Sequence, residues 1–160
     1  MITKLFFMLL CLTPLAGHTI DEEPMCLCKE AAALQKATDS YLHFINQIST
    51  GSLISKEDAA IISPNCKKIL NGQLFTQNRD DFIKDLQSVY ENQGAWKIYP
   101  ADIIVAAASK SVVLRLFIQM EKCGIYTAIV ILRYDANYLI TEINEVLNQV
   151  RGSYDFKENG

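Results

Sequence analysis

Apolar residues open the chain as an unbroken run, Leu5 to Leu12, and then fall into a helical rhythm. Leu27, Ala31, Leu34, Thr38, Tyr41, Ile45 and Ile48 recur every three or four positions, with Glu30, Lys36, Asp39, His43 and Asn46 mostly elsewhere on the wheel. This predicts a long amphipathic helix, started by Asp21-Glu22-Glu23-Pro24 and closed near Thr50-Gly51. Ser55-Lys56-Glu57-Asp58 resembles a capping box and predicts a short second helix, stopped by Ser63-Pro64. Residues 66–75 read as irregular or as a short strand broken at Asn71-Gly72. Asn78 caps a third helix with Asp80 and Asp81 in its first turn, an apolar stripe of Phe82, Ile83, Leu86, Val89 and Tyr90, and Gly94 at its end. The rhythm then changes to that of strands over 96–106, 111–122, 125–135 and 138–146, parted by short turns. Four hairpin-linked strands make an antiparallel meander. Helices that precede a sheet must cover one of its faces, which predicts a single α+β domain.

The remaining composition narrows this picture. A chain of 160 residues, half of them apolar, is long enough for one domain with a proper core. A net charge of −3 argues against a nucleic-acid partner, which demands a basic face. No twenty-residue apolar run exists, so no membrane span is expected. Residues 1–17, with Lys4, the Leu5–Leu12 run and a small-residue end at Leu15-Ala16-Gly17, have the order of a secretory signal peptide. Neither Cys11 nor Cys26 follows the small residue that usually precedes a lipidated cysteine. The reading is therefore an exported chain, secreted or periplasmic, with a domain over 18–150 and a flexible polar tail over 151–160. Export would leave Cys26, Cys28, Cys66 and Cys123 in an oxidising compartment, where an even number suggests disulfides with partners unassigned. Cys-x-Cys with two distant single cysteines lacks zinc-site spacing, and no Cys-x-x-Cys is present, so neither metal nor cofactor is expected.

The order of elements resembles the nuclear transport factor 2-like superfamily, including its SnoaL-like members. The resemblance runs from about Ala31 to Val150. It rests on the first helix closing at Ser49-Thr50-Gly51, on Ile69-Leu70-Asn71-Gly72 leading to Asp81-Phe82-Ile83, and on the Trp96 strand opening the meander. It implies a cone-like curved antiparallel sheet wrapped around the long N-terminal helix, with two further helices and a pocket at the open end. The superfamily includes ketosteroid isomerases, polyketide cyclases, dehydratases, epoxide hydrolases and non-enzymatic binding modules, and fold alone does not choose among them. The isomerase acid/base set would fall at Phe44, near Ile69 and near Val130, all apolar here. For an epoxide-hydrolase set Arg115 and Arg133 are available, but Asp102 and Asp135 lie at strand ends. His43, about 200° around the helix from Tyr41, is expected to face water.

Residues 125–132 are apolar on both alternating faces. In strand phase, Tyr126, Ala128, Val130 and Leu132 point towards the helices. Ile125, Ile129, Ile131 and Ile140 point outward, where a homodimer or protein partner is expected to cover them, the outer face being a common dimer surface in the superfamily. Tyr41, Ile45, Leu86, Tyr90, Tyr126 and Val130 then either line a site for a small apolar ligand or simply fill the core. No pocket or surface role is assigned to Arg115, Gln119 and Glu121. The leading expectation is an exported, non-catalytic binding or interaction domain. Its rivals are a lyase, isomerase or hydrolase acting on a hydrophobic small molecule, using Tyr126 with Arg115 or Asp102, and a periplasmic assembly scaffold.

Overall fold

The apolar stripe of the first helix and the inward rows of the sheet bury each other. The computed structural model describes residues 23–52 and 57–150. The leader, the Asp21-Glu22 helix start, Ser55-Lys56 of the capping box and the 151–160 tail lie outside the described residues. Helix α1 (Glu23–Ile48) closes in a turn at Gly51, whose φ of +76° suits glycine. Leu34, Thr38, Tyr41, Ile45 and Ile48 are buried, whereas Leu27, near the amino end of the helix, is half-exposed.

A 3-10 turn (Asp58–Ile61) takes the place of the expected second helix. The chain passes from it directly into β1 (Ile62–Leu70), which turns at Asn71-Gly72 into β2 (Gln73–Thr76). Both turn residues have positive φ, 49° and 81°, as a tight hairpin demands. Ser63-Pro64 therefore lies inside a strand. It is tolerated because the pairing with the neighbouring strand lapses between Ile62 and Lys67, where proline's missing N–H breaks no ladder bond. Helix α2 (Arg79–Gln93) starts at Asn78, whose side chain accepts a hydrogen bond from Asp81 N, and ends at Gly94. Its stripe buries Phe82 and Leu86 and packs Ile83, Val89 and Tyr90 on the core.

The meander follows as β3 (Trp96–Ala106), β4 (Ser111–Met120), β5 (Gly124–Tyr134) and β6 (Ile140–Gln149). The sheet has six strands, in the order β2-β1-β6-β5-β4-β3. It is mixed rather than purely antiparallel, because β1 runs parallel to β6. On β5 the expected inward row holds, with Ala128, Val130 and Leu132 buried, and the row of β4 that joins it is Val112, Leu114, Leu116 and Ile118. Ile140 is the exception to the sequence expectation. A register shift leaves Thr141 unpaired between Arg133–Glu142 and Tyr134–Ile140, which turns Ile140 inward to zero exposure. A second shift, beside Pro100, leaves Ala101 unpaired on the outer edge strand β3.

Buried polar contacts fasten α1 to the sheet. Thr38 donates to the Leu34 carbonyl and its hydroxyl lies 2.9 Å from that of Tyr134, whose pKa burial pushes up to about 12. Nearer the amino end, Glu30 takes Lys110 Nζ at 2.9 Å on one oxygen and the Tyr138 hydroxyl at 2.8 Å on the other. Lys110 and Tyr138 occupy the turns before β4 and before β6, both with positive φ, 47° and 61°. The Lys110 hydrogen bond, then that of Tyr138, holds the Glu30 carboxyl below the ordinary glutamate pKa. A depressed carboxyl stabilises the fold above its unfolded pKa and loses that contribution as pH falls through the folded value. Glu30→Gln is therefore expected to flatten the loss of stability on acidification below about pH 4.5, measured by urea unfolding across pH. An unchanged acid limb would remove the clamp from the stability of the fold.

Candidate ligand site in the cone

β1 supplies what the sequence reading left out. Its alternation puts Cys66 and Lys68 on the inner face, beneath α2. Lys68 is 8% exposed. Its Nζ lies 3.3 Å from Asp85 Oδ2 on α2 and 3.3 Å from Glu145 Oε2 on β6. The ammonium also stands 5.5 Å from the ring centroids of Phe75 and Phe82, within cation–π range. The other oxygens of Asp85 and Glu145 accept no hydrogen bond from the described residues. Thr76 is paired with Lys68 across the β1–β2 ladder, so the two side chains share the inner face. Thr76 is 6% exposed, and its hydroxyl, out of contact with solvent, has no hydrogen-bond partner.

The six residues expected to line a ligand site belong to this neighbourhood or to the core behind it. Tyr41, Ile45, Leu86 and Val130 are buried, and Tyr90 and Tyr126 pack against them. Leu86 adjoins Asp85 on α2, and Val130 faces Glu145 across the β5–β6 ladder. The Tyr41 hydroxyl has its pKa raised well above the usual value, first by burial and then by the nearby charge of Glu145. Tyr90 meets Trp96 edge-on at 6.4 Å between ring centroids. The inner face of the sheet thus carries proton-transfer groups. The isomerase-like alignment found apolar Ile69 and Val130, yet charged residues stand immediately beside both positions: Lys68 next to Ile69, and Glu145 opposite Val130.

Other expectations fall to the geometry of the sheet. Arg115 pairs with Asp102 at 2.6 Å, and Arg133 with Glu142 at 3.0 Å. Both pairs lie on the outer face, in phase with exposed Ile129, whereas Tyr126 lies in the inward phase. Neither Arg115 nor Asp102 can meet Tyr126 through the sheet. Gln119 shares the outward phase of Arg115, and Glu121 accepts a hydrogen bond from Ala95 N at the end of the hairpin. Asp135 binds the N–H groups of Asn137 and Leu139 in its own turn. His43 is exposed, as expected.

The expected disulfides are not formed, and Cys26, Cys28, Cys66 and Cys123 are all free thiols. Cys26 and Cys28 are exposed on α1. Cys66 precedes the Lys67–Glu142 pairing at one end of β6, whereas Cys123 lies in the turn beyond the Tyr126–Gln149 pairing at the other, where its Sγ contacts the Gln93 side chain. That separation far exceeds the reach of a bridge. Burial pushes the Cys66 thiol up to about 12, so it is a packing residue rather than a nucleophile.

No protein-family model matches the chain, and no curated protein matches it. Solved structures do. An NTF2-like protein from Exiguobacterium sp. 255-15 is 16% identical, with 71% of this chain and 99% of that one covered and a TM-score of 0.59. An LEH-like epoxide hydrolase from M. tuberculosis is 10% identical, with 74% and 85% covered and a TM-score of 0.58. A SnoaL-like protein of the polyketide cyclase type from Jannaschia sp. CCS1 is 9% identical, with 71% and 86% covered and a TM-score of 0.58.

The unsatisfied hydroxyl and the shared ammonium predict opposite responses. Thr76→Val removes a buried group that has no partner and is expected to stabilise the unliganded chain by about 1 kcal/mol. Lys68→Met leaves two carboxylates facing each other and is expected to cost about 3 kcal/mol. Urea unfolding of both variants checks the pair, and a destabilised Thr76→Val would mean that its hydroxyl is already satisfied. With its curved six-stranded sheet, covering helices and structural neighbours, this chain has the nuclear transport factor 2-like fold.

Proposed function

We propose that the chain is an exported binding domain that takes a small, largely apolar molecule into the cone, with the polar end of the ligand at the Lys68–Asp85–Glu145 cluster. One observation carries this reading: charged groups and an unpartnered hydroxyl converge on the inner face of an otherwise apolar cone. Leu86 and Val130 supply apolar wall beside them. Ligand sites commonly have this build, a hydrophobic lining with a few placed polar groups. Export rests on the leader-like order of residues 1–17.

Binding to the native state alone raises stability, by about 1.4 kcal/mol at ten times Kd. With n-hexanol as a neutral probe, thermal unfolding of the chain is expected to shift upward and saturate. Val130→Trp, which fills the wall beside Glu145, is expected to abolish the shift. A shift that never saturates, or that survives the filling, would sink the reading.

A second reading, a lyase, isomerase or hydrolase acting on a hydrophobic small molecule, draws support from one feature. The free oxygens of Asp85 and Glu145 are proton acceptors set beside an ammonium donor.

The outer sheet face fits the proposed second copy of the chain. Tyr99, Ile104, Phe117, Ile129 and Val146 are each more than two-fifths exposed, and they lie in neighbouring rows of β3 to β6. Arg115–Asp102 and Arg133–Glu142 flank them with equal numbers of each sign, which suits a self-complementary contact. Sedimentation at rising concentration is expected to show a dimer, and Ile129→Arg to dissociate it. A chain that stays monomeric at high concentration would rule the dimer out.

A further inference from the structure

We infer that the cone site is selective for a cation, and that its ligand carries a primary ammonium on an apolar body. This deepens the binding reading above and rests on it.

The cluster holds one ammonium and two carboxylates, all three side chains at most 15% exposed. Its formal charge is −1, and leaving a charge uncompensated in a poorly hydrated place is costly. One monocation completes it. The open recognition atoms are all electron-rich: the second oxygen of Asp85, the second oxygen of Glu145, and the lone pairs of Thr76 Oγ1. The faces of Phe75 and Phe82 already hold one cation between them, that of Lys68. An ammonium brings three N–H donors to this set. An anion would face both carboxylates, and the Lys68 donors that would welcome it are already directed at them.

On α2, Arg79 directs a guanidinium N–H to the Ile62 carbonyl at 3.3 Å rather than to a carboxylate of the cluster. A bare metal ion fits less well. The site has two carboxylates and a hydroxyl, and among the described residues no group of three or more His, Cys, Asp or Glu side chains gathers to hold a metal. Phe82, Leu86 and Val130, by contrast, offer carbon to an alkyl chain. Thr76 Oγ1 is shielded from solvent, so a ligand that reaches it must displace a neighbouring side chain. Phe75 is suited to this: it is the unpaired residue of the β1–β2 bulge and is 53% exposed.

The test compares three probes of one chain length on the purified full chain by calorimetry at pH 7: n-hexylammonium chloride, n-hexanol and sodium hexanoate. Potassium chloride at matched ionic strength is the control. Hexylammonium is expected to bind at least about tenfold tighter than hexanol, a difference of about 1.4 kcal/mol, and hexanoate weakest. Asp85→Asn and Glu145→Gln are each expected to weaken hexylammonium about tenfold more than they weaken hexanol, which narrows the preference for the ammonium. Thr76→Val, whose fold is the safest of the three, is expected to weaken hexylammonium while raising the stability of the free chain. Equal binding of hexylammonium and hexanol, or tightest binding of hexanoate, would overturn the cation preference and leave the cone-binding reading standing. An equal response to potassium chloride would overturn the organic ammonium. No binding of any of the three organic probes would remove both readings.

Discussion

The concave face of the sheet has to be kept from water, and most of the architecture follows from that. Val112, Leu114, Leu132, Ile140 and Ile143 show essentially no exposure, and α1 and α2 provide the cover. Helix α1 does so with a stripe that runs from Leu34 to Ile48, α2 with Phe82 and Leu86. Each buried aliphatic side chain contributes about 1.5–3 kcal/mol relative to exposure. Against that background, a charged lysine on the same face is an expensive choice that needs partners. It has two, on different elements, so Lys68 ties β1 to α2 and to β6 at once.

Much of the fold was legible in the order of residues. The four strands of the meander lie where alternation put them, because each is long and bounded by turn residues. Asn78 and Gly94 mark the ends of α2 by their own cap chemistry. The β1–β2 hairpin was not legible as such, since Ser63-Pro64 looks like a helix stop and only the lapse in pairing beside it makes a strand possible. Missing β1 meant missing its alternation, and with it the inward direction of Lys68. Glu145 was obscured for a different reason. The shift at Thr141 misdirects Ile140 alone, since alternation from an outward Ile140 already sends Glu145 inward, but a single inward glutamate has no visible partner until β1 lies beside β6.

The candidate site therefore joins residues that no local pattern links. Lys68, Asp85 and Glu145 are 17 and 60 positions apart along the chain and meet only because β1 inserts beside β6. The apolar lining was easier to read, since Tyr41, Leu86 and Val130 follow from period and phase alone. Aromatic and aliphatic residues at such positions describe a wall without saying what the wall faces. The polar atoms decide that, and they depended on a strand whose register only coordinates reveal.

The two rims of the sheet bear on how such a chain behaves in crowded surroundings. One rim is β2, only four residues long, and the other is β3, interrupted at Pro100-Ala101. A foreign strand laid along either finds too few consecutive N–H and C=O groups to continue the ladder. Fibre-like growth by strand addition is thereby discouraged at both ends, although a broad greasy surface stands open between them. Any new assembly of this scaffold is left to the exposed rows of its outer face, where contact consumes no backbone groups.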